Sequence, residues 1–85
     1  MFMGKGILRS IVIEYVEESK DVFSPTRPVF NRVISWTSKN GKTKWKELNC
    51  PQQSFHGMRG YYRTLGLDVQ FYNRTTNNFH RNLPN

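Results

Sequence analysis

The sequence predicts a small α+β domain in which an antiparallel sheet carries one helix on one face. Three observations predict this fold. A β-branched apolar run lies near the start of the chain, an Asn-Gly pair separates two alternating segments, and a later segment between a proline and a glycine has helical spacing of its apolar residues. The expected order is β-β-β-α-β in a single domain over residues 1–73, followed by a polar C-terminal tail over residues 74–85.

The first strand is predicted at residues 7–16, ILRSIVIEYV. β-Branched residues fit a pleated strand better than a helix, although a helical stripe through the same apolar residues is the alternative. As a strand, the segment would be apolar on both faces, with Ile11, Ile13 and Tyr15 on one and Leu8, Val12 and Val16 on the other. Such a strand is covered on both sides. Residues 17–28, EESKDVFSPTRP, then predict a loop, because prolines remove amide donors.

The second and third strands are predicted to form a hairpin around Asn40-Gly41, the favoured pair for a two-residue type I′ turn. This turn would place Lys39 opposite Lys42 and Trp36 opposite Trp45. The alternation then puts four lysines on one face and both tryptophans on the other; the lysines are Lys39, Lys42, Lys44 and Lys46. Either this is a solvated outer face over a tryptophan core, or it is a ribbon that binds a polyanion. The absence of acidic residues on the lysine face supports the second interpretation.

A helix of about 14 residues is predicted next, with Asn49 or Cys50 as its cap, Pro51 in its first turn and Gly66 just past its end. Its apolar stripe would be Phe55, Met58, Tyr62 and Leu65, and one flank would carry His56, Arg59 and Arg63. Gly57 and Gly60 fall on the side away from the stripe. They predict close approach of another surface, a helix that starts late near Met58, or a weak helix held by tertiary packing.

The last strand is predicted at residues 67–73, LDVQFYN, where Leu67, Val69 and Phe71 alternate with polar residues and Tyr72. Residues 74–85 lack periodicity and are polar, which is typical of a terminal tail.

The net charge of +7 is unevenly distributed. Residues 1–21 carry three basic and four acidic side chains, whereas residues 22–85 carry ten basic and two acidic ones. This balance favours a polyanionic partner. The single cysteine, Cys50, favours a reducing compartment, and we expect a cytoplasmic protein. We expect no membrane association, because the sequence has neither a long apolar run nor the apolar block of a signal peptide.

Few residues suggest a reaction or a cofactor. Cys50, His56 and His80 match no zinc-ligand spacing, and we expect neither a metal nor another cofactor. No paired carboxylates or phosphate-binding glycine loop is present in the sequence. A metal-free ribonuclease with His56 as acid or base and Arg59 and Arg63 on the phosphate is a minor alternative to a protein that is not an enzyme.

The sequence therefore favours a small nucleic-acid-binding protein, for DNA or RNA, that makes mainly phosphate contacts. The expected contact residues are Lys39, Lys42, Lys44, Lys46, His56, Arg59 and Arg63. The alternative is a small regulatory or inhibitory protein that docks on an acidic protein surface, of the kind viruses encode as accessory proteins. A thin core in 85 residues makes a homodimer compatible with either function.

Overall fold

The computed structural model describes residues 7–39 and 42–84, which form a five-stranded sheet with one helix. The elements are β1 (Ile7–Glu18), β2 (Arg27–Lys39), β3 (Lys42–Leu48), α1 (Phe55–Thr64), β4 (Asp68–Asn73) and β5 (Asn78–His80). Their order across the sheet is β3-β2-β1-β4-β5. The predicted α+β class is confirmed. The helix of this structure is too short and too polar to cross a membrane, a statement that covers residues 7–39 and 42–84.

The sheet is mixed, whereas the sequence predicted an antiparallel one. β2 is antiparallel to both β1 and β3, and β5 is antiparallel to β4, but β1 and β4 are parallel. The physical reason is the connection through α1. The helix carries the chain back along the sheet after β3, so β4 must run in the same direction as β3 and therefore as β1.

β1 is the central strand, and the strand interpretation of its apolar run is confirmed. Ile11 and Ile13 point toward α1 and are fully buried, while Val12 and Glu14 are buried on the opposite side. The core lies on the α1 side and consists of Ile11, Ile13, Tyr15, Val33, Met58, Tyr62, Val69 and Phe71. The buried residues of β1 lie in its central position in the sheet, where β2 pairs with one edge and β4 pairs with the other over Ser10–Tyr15.

The loop between β1 and β2 is shorter than predicted and spans residues 19–26. The Asp21 side chain organises it: Oδ1 accepts hydrogen bonds from the backbone N–H groups of Phe23, at 2.8 Å, and Ser24, at 2.9 Å. These bonds, with that of the Ser24 hydroxyl, hold the pKa of Asp21 below its usual value. Pro28 lies inside β2, opposite Glu17.

The hairpin register is confirmed. Lys39 pairs with Lys42, and Trp36 pairs with Trp45. The predicted Asn40-Gly41 turn lies outside the described residues. β2 also has a bulge opposite the Glu14–Tyr15 step, where the pairing moves from Arg32 to Phe30 and leaves Asn31 as the extra residue.

The helix begins later than the predicted cap at Asn49 or Cys50. Ser54 is its N-cap, and the Ser54 hydroxyl accepts a hydrogen bond from the Gly57 N–H at 3.0 Å. Pro51 therefore lies before the helix. The helix starts at Ser54 because its hydroxyl satisfies one of the backbone N–H groups that the first turn leaves without a partner. Met58 and Tyr62 are buried as predicted.

The C-terminal end of the helix confirms one prediction and corrects another. Gly66 has φ of +78°, and the N–H groups of Gly66 and Leu67 donate to the carbonyls of Arg63 and Tyr62 at 2.9 and 3.3 Å. This is the expected glycine-terminated turn. Leu65 was predicted to join the apolar stripe, but it is 58% exposed. It is the C-cap residue, so its backbone has already left the helical geometry on which the stripe depends.

The two helix glycines have different surroundings. A Cβ on Gly57 would lie 3.0 Å from both the Ser54 Oγ and the Gln52 Oε1, whereas a Cβ on Gly60 would meet nothing within 4 Å. The close approach that the sequence predicted therefore exists only at Gly57, and the chain's own helix cap makes it.

The segment predicted as a polar tail contains β5. His80 pairs with Phe71, and its Nε2 is hydrogen-bonded to the Tyr15 hydroxyl at 2.6 Å. Arg81 is ion-paired with Asp68, and Leu83 packs against the core. A strand of three residues is too short to show alternation in the sequence, and its partners become apparent only in the folded sheet.

Candidate functional site

Three lysines of β3, Lys42, Lys44 and Lys46, are exposed and form what we call the lysine row. Lys46 pairs with Ser35, which is buried and pairs in turn with Ile11 of the core. Paired residues share a face of a sheet, so the lysine row lies on the same side as α1. Lys39 ends β2 opposite Lys42, and its side chain lies outside the described part of the chain.

This arrangement corrects the interpretation in which the tryptophans form a core beneath solvated lysines. The core lies on the lysine side of the sheet, under α1, and the tryptophans lie on the other side. The physical reason is the packing of α1, whose buried Met58 and Tyr62 join the core residues on the lysine side. α1 has ten residues, about 15 Å, and the molecule is 52 Å long, so the helix covers only one end of the sheet.

His56, Arg59 and Arg63 lie at successive turns of one flank of α1, with His56 and Arg63 exposed and Arg59 half-buried. We call them the helix flank. Arg63 is in the last turn, and it contributes with Arg81, the larger influence, to a lowered pKa of Asp68. Across the sheet, Asp68 pairs with Ser10, Ser10 pairs with Trp36, and Trp36 pairs with Trp45. Because Arg63 lies near Asp68, the C-terminal end of the helix flank is level with Trp45, between Lys44 and Lys46.

The structure therefore brings the two predicted groups to one side of the sheet. Three strand spacings separate β4 from β3, about 14 Å. On β2, the strand next to the lysine row, the side chains on this side at that level, Ser35 and Thr37, are uncharged. One basic surface thus includes Lys42, Lys44, Lys46, His56, Arg59 and Arg63.

The opposite side of the sheet carries three exposed aromatic rings and the half-buried ring of Tyr72, which together we call the aromatic face: Trp36, Trp45, Tyr72 and Phe79. Trp36 and Trp45 are stacked with ring centroids 5.6 Å apart and an interplanar angle of 8°. They remain 38% and 59% exposed. Tyr72 and Phe79 form a second pair, with centroids 4.6 Å apart. A groove of about 540 Å³ lies over Val12 and Ile34, with Trp45 among its walls and the second pair on its other side.

A buried carboxylate lies at one end of this groove. The Glu14 side chain is 4% exposed, and its oxygens lie 3.4 Å from the Arg32 Nε and 3.7 Å from the Arg74 Nη1. The Asn31 amide, placed by the bulge in β2, donates to the same carboxylate. Two guanidinium groups share this buried carboxylate, and the Glu47 Oε1 lies 3.9 Å from the Arg32 Nη1, so two positive and two negative side chains meet at this end of the groove.

The two histidines lie in different environments. His56 is exposed on α1, whereas His80 is bound to the Tyr15 hydroxyl beneath the sheet edge. Burial, and then the charge of Glu17, raise the pKa of Tyr15. Cys50 neighbours Tyr62 and, together with burial as the larger cause, raises the pKa of that tyrosine to about 12. Within residues 7–39 and 42–84, no group of three or more His, Cys, Asp or Glu side chains is placed to hold a metal ion.

The sequence did not show that Tyr72 and Phe79 share a face with the tryptophans, and it did not predict the Glu14 cluster. The alternation in the hairpin showed that the tryptophans share a face, but nothing in the sequence showed which face α1 would cover. A single glutamate inside the apolar run of β1 was the only signal for the cluster.

Comparisons of this chain with known protein families, with curated proteins and with solved structures find no match.

Proposed function

We propose that this protein binds nucleic acid through its basic surface. The observation that carries the proposal is that the lysine row and the helix flank lie on the same side of the sheet. A net charge of +7 supports it, because a basic protein attracts a polyanion over long distances.

The lysine row suits the phosphate backbone. Its members alternate along β3, so Lys42 and Lys46 lie about 14 Å apart. Each strand of a duplex presents one phosphate per 3.4 Å of helix axis, so the row spans about four phosphates. A lysine contacts phosphate as a point charge, whereas the forked guanidinium of Arg63 can make two hydrogen bonds. These contacts position the nucleic acid and need no reaction.

Charge reversal on the hairpin tests the proposal. The double variant Lys44→Glu/Lys46→Glu should weaken binding and lower the slope of log affinity against log salt by about 1.8 on duplex DNA, since each lost phosphate contact removes about 0.9. Fluorescence anisotropy with one labelled duplex at four salt concentrations measures both quantities.

The matched control is Lys20→Glu/Arg27→Glu. It makes the same change in net charge at two exposed residues in and beside the β1–β2 loop, away from the lysine row. We expect a smaller loss of affinity and an unchanged slope. If the control lowers the slope as much as the hairpin variant, the basic surface is not the binding site, and only the overall charge matters.

A second candidate is docking on a protein, which one observation favours. Val22 and Phe23, at the tip of the β1–β2 loop, are 89% and 94% exposed, and Asp21 holds their turn in place. An ordered, exposed apolar tip suits a pocket on a partner. A stoichiometric protein that survives nuclease treatment and is captured by the wild type but not by Phe23→Ser would support this function. Loss of all partners on nuclease treatment would contradict it.

A further inference from the structure

A phosphate-binding surface on the α1 side leaves the aromatic face without a role. We propose that the aromatic face binds the unpaired bases of a single strand, so that the nucleic acid this protein takes is single-stranded rather than duplex. This inference rests on the proposed function and specifies its substrate class.

The rings are placed as stacking surfaces. Trp45 on β3 and Tyr72 on β4 lie three strand spacings apart across the sheet, about 14 Å, and four residues apart along it, about 13 Å. The apolar side chains of Val12 and Ile34 lie between them. Exposed aromatics on a sheet surface commonly stack two or three bases. A duplex hides its base faces inside the helix, so these rings would gain nothing from it. Unpaired bases expose both faces and can stack on any ring.

The charged groups at the groove suit the same ligand. Arg32 and Arg74 are both anchored to the buried Glu14 carboxylate, yet their side chains remain 43% and 62% exposed. An anchored guanidinium can stack on a base or bind a phosphate with little loss of side-chain freedom. Glu47 lies on the rim of the groove, and its Oε1 is 3.9 Å from the Arg32 Nη1. The arginine therefore offsets the negative charge of Glu47.

The edge position of β3 connects the two sides of the sheet. β3 is an outer strand, and Lys46 borders the groove on the aromatic side although it belongs to the lysine row. A single strand that lays its bases across the aromatic face would bring its phosphates to this edge, within reach of the flexible lysine side chains. The basic surface and the aromatic face would then hold the backbone and the bases of the same strand.

Charge argues against a second copy of the chain as the occupant. Two copies stacked through their aromatic faces would bring two chains of net charge +7 together. A polyanionic strand is complementary to these charges, whereas an identical protein repels them.

The two tryptophans give a direct test, because they are the only tryptophans in the chain and both belong to the aromatic face. Adding an unlabelled 12-nucleotide strand, oligo(dT) or oligo(U), should quench the intrinsic tryptophan fluorescence. A 12-base-pair duplex should bind with little quenching. In anisotropy, Trp45→Ala should weaken binding of the labelled single strand about tenfold and leave the duplex affinity unchanged.

Two further variants control for folding and for general loss of an aromatic ring. Trp45→Phe keeps a stacking surface and should recover most of the single-strand affinity. Phe23→Ala removes an exposed ring far from the aromatic face and should leave both affinities unchanged. Circular dichroism establishes that each variant is folded.

The outcomes separate the inference from the proposed function. Salt-dependent binding that Trp45→Ala leaves unchanged, with no quenching, would overturn the inference and leave the proposed function intact. Absence of binding to either probe at low salt would overturn both. Sedimentation that shows a dimer which dissociates in Trp45→Ala would overturn the inference, because the face would then be covered by a second copy.

Discussion

The two sides of the sheet use the same central strand in different ways. Toward α1, β1 contributes Ile11 and Ile13 to a core that a helix covers. On the other side it contributes Val12 and Glu14, which are also buried, but the rings beside them stay exposed. Burial of a strand residue therefore does not show that its face is a core. The exposed neighbours distinguish a surface that stabilises the fold from a surface that is free to bind.

The same contrast appears along the length of the molecule. α1 covers the part of the sheet where β1 and β4 pair, whereas the β2–β3 hairpin extends beyond it. In that extension the stacked tryptophans take one side and the lysine row the other. We expect the unfolding free energy to depend on the covered end more than on the extension, and the first of three predictions tests this division.

The largest expected effect is on the unfolding free energy, when one aromatic residue is removed from each side of the sheet. Phe71→Ala should cost about 3–5 kcal/mol of unfolding free energy, because Phe71 is fully buried between β1 and α1 and its loss leaves a cavity. Trp45→Ala should cost about 1 kcal/mol, mainly its stacking on Trp36. Urea denaturation followed by circular dichroism measures both. Equal losses would mean that the aromatic face is part of the stabilising core.

A smaller effect on stability is expected when Gly66 and Gly60 are replaced by alanine, because their backbone conformations differ. Gly66→Ala should cost about 1 kcal/mol, because its positive φ disfavours a side chain. Gly60→Ala should stabilise the protein by about 0.5–1 kcal/mol, because the added methyl group meets no neighbour and the helix gains propensity. Thermal unfolding measures both shifts. Loss of stability in Gly60→Ala would mean that another surface packs against that side of α1.

The smallest expected effect is a loss of stability at acid pH. Hydrogen bonds from Asn73 and Thr26 lower the pKa of Glu17, and the bond from Arg81, with its charge, lowers that of Asp68. A lowered folded-state pKa contributes stability above the unfolded value, about 4, that is lost as the pH falls through the folded value. Both carboxylates tie the β4–β5 region to its surroundings, so acid should loosen β5 first.

Urea denaturation between pH 6 and pH 2 tests this prediction. The unfolding free energy of the wild type should fall with pH. Asp68→Asn should show a shallower fall, because its side chain cannot titrate. Hydrogen exchange should show earlier loss of protection in β5 than in β1. Identical pH dependence of the wild type and the variant would show that the Asp68–Arg81 pair contributes nothing measurable.

The sequence by itself determined the local features of this protein. Alternation and β-branching predicted the central strand, Asn40-Gly41 predicted the register of Trp36 with Trp45, and Gly66 predicted the end of the helix. Each of these depends on residues close together in the chain, whose backbone preferences and spacing act locally. The helix start was misplaced because Ser54 and Pro51 both carry start signals, and only the folded helix shows which amide needs the cap.

Only the tertiary structure decided which face of the sheet would be covered. The alternation of the hairpin separates lysines from tryptophans equally well whether α1 packs on one side or the other. The packing of Met58 and Tyr62 against the core residues of β1 and β4 settles that choice, and these contacts join residues far apart in the sequence. The same long-range pairing places β5 beside β4 and sets two arginines on Glu14. The charge of the chain could thus be read from its residues, but the separation of a basic side from an aromatic side is a property of the fold.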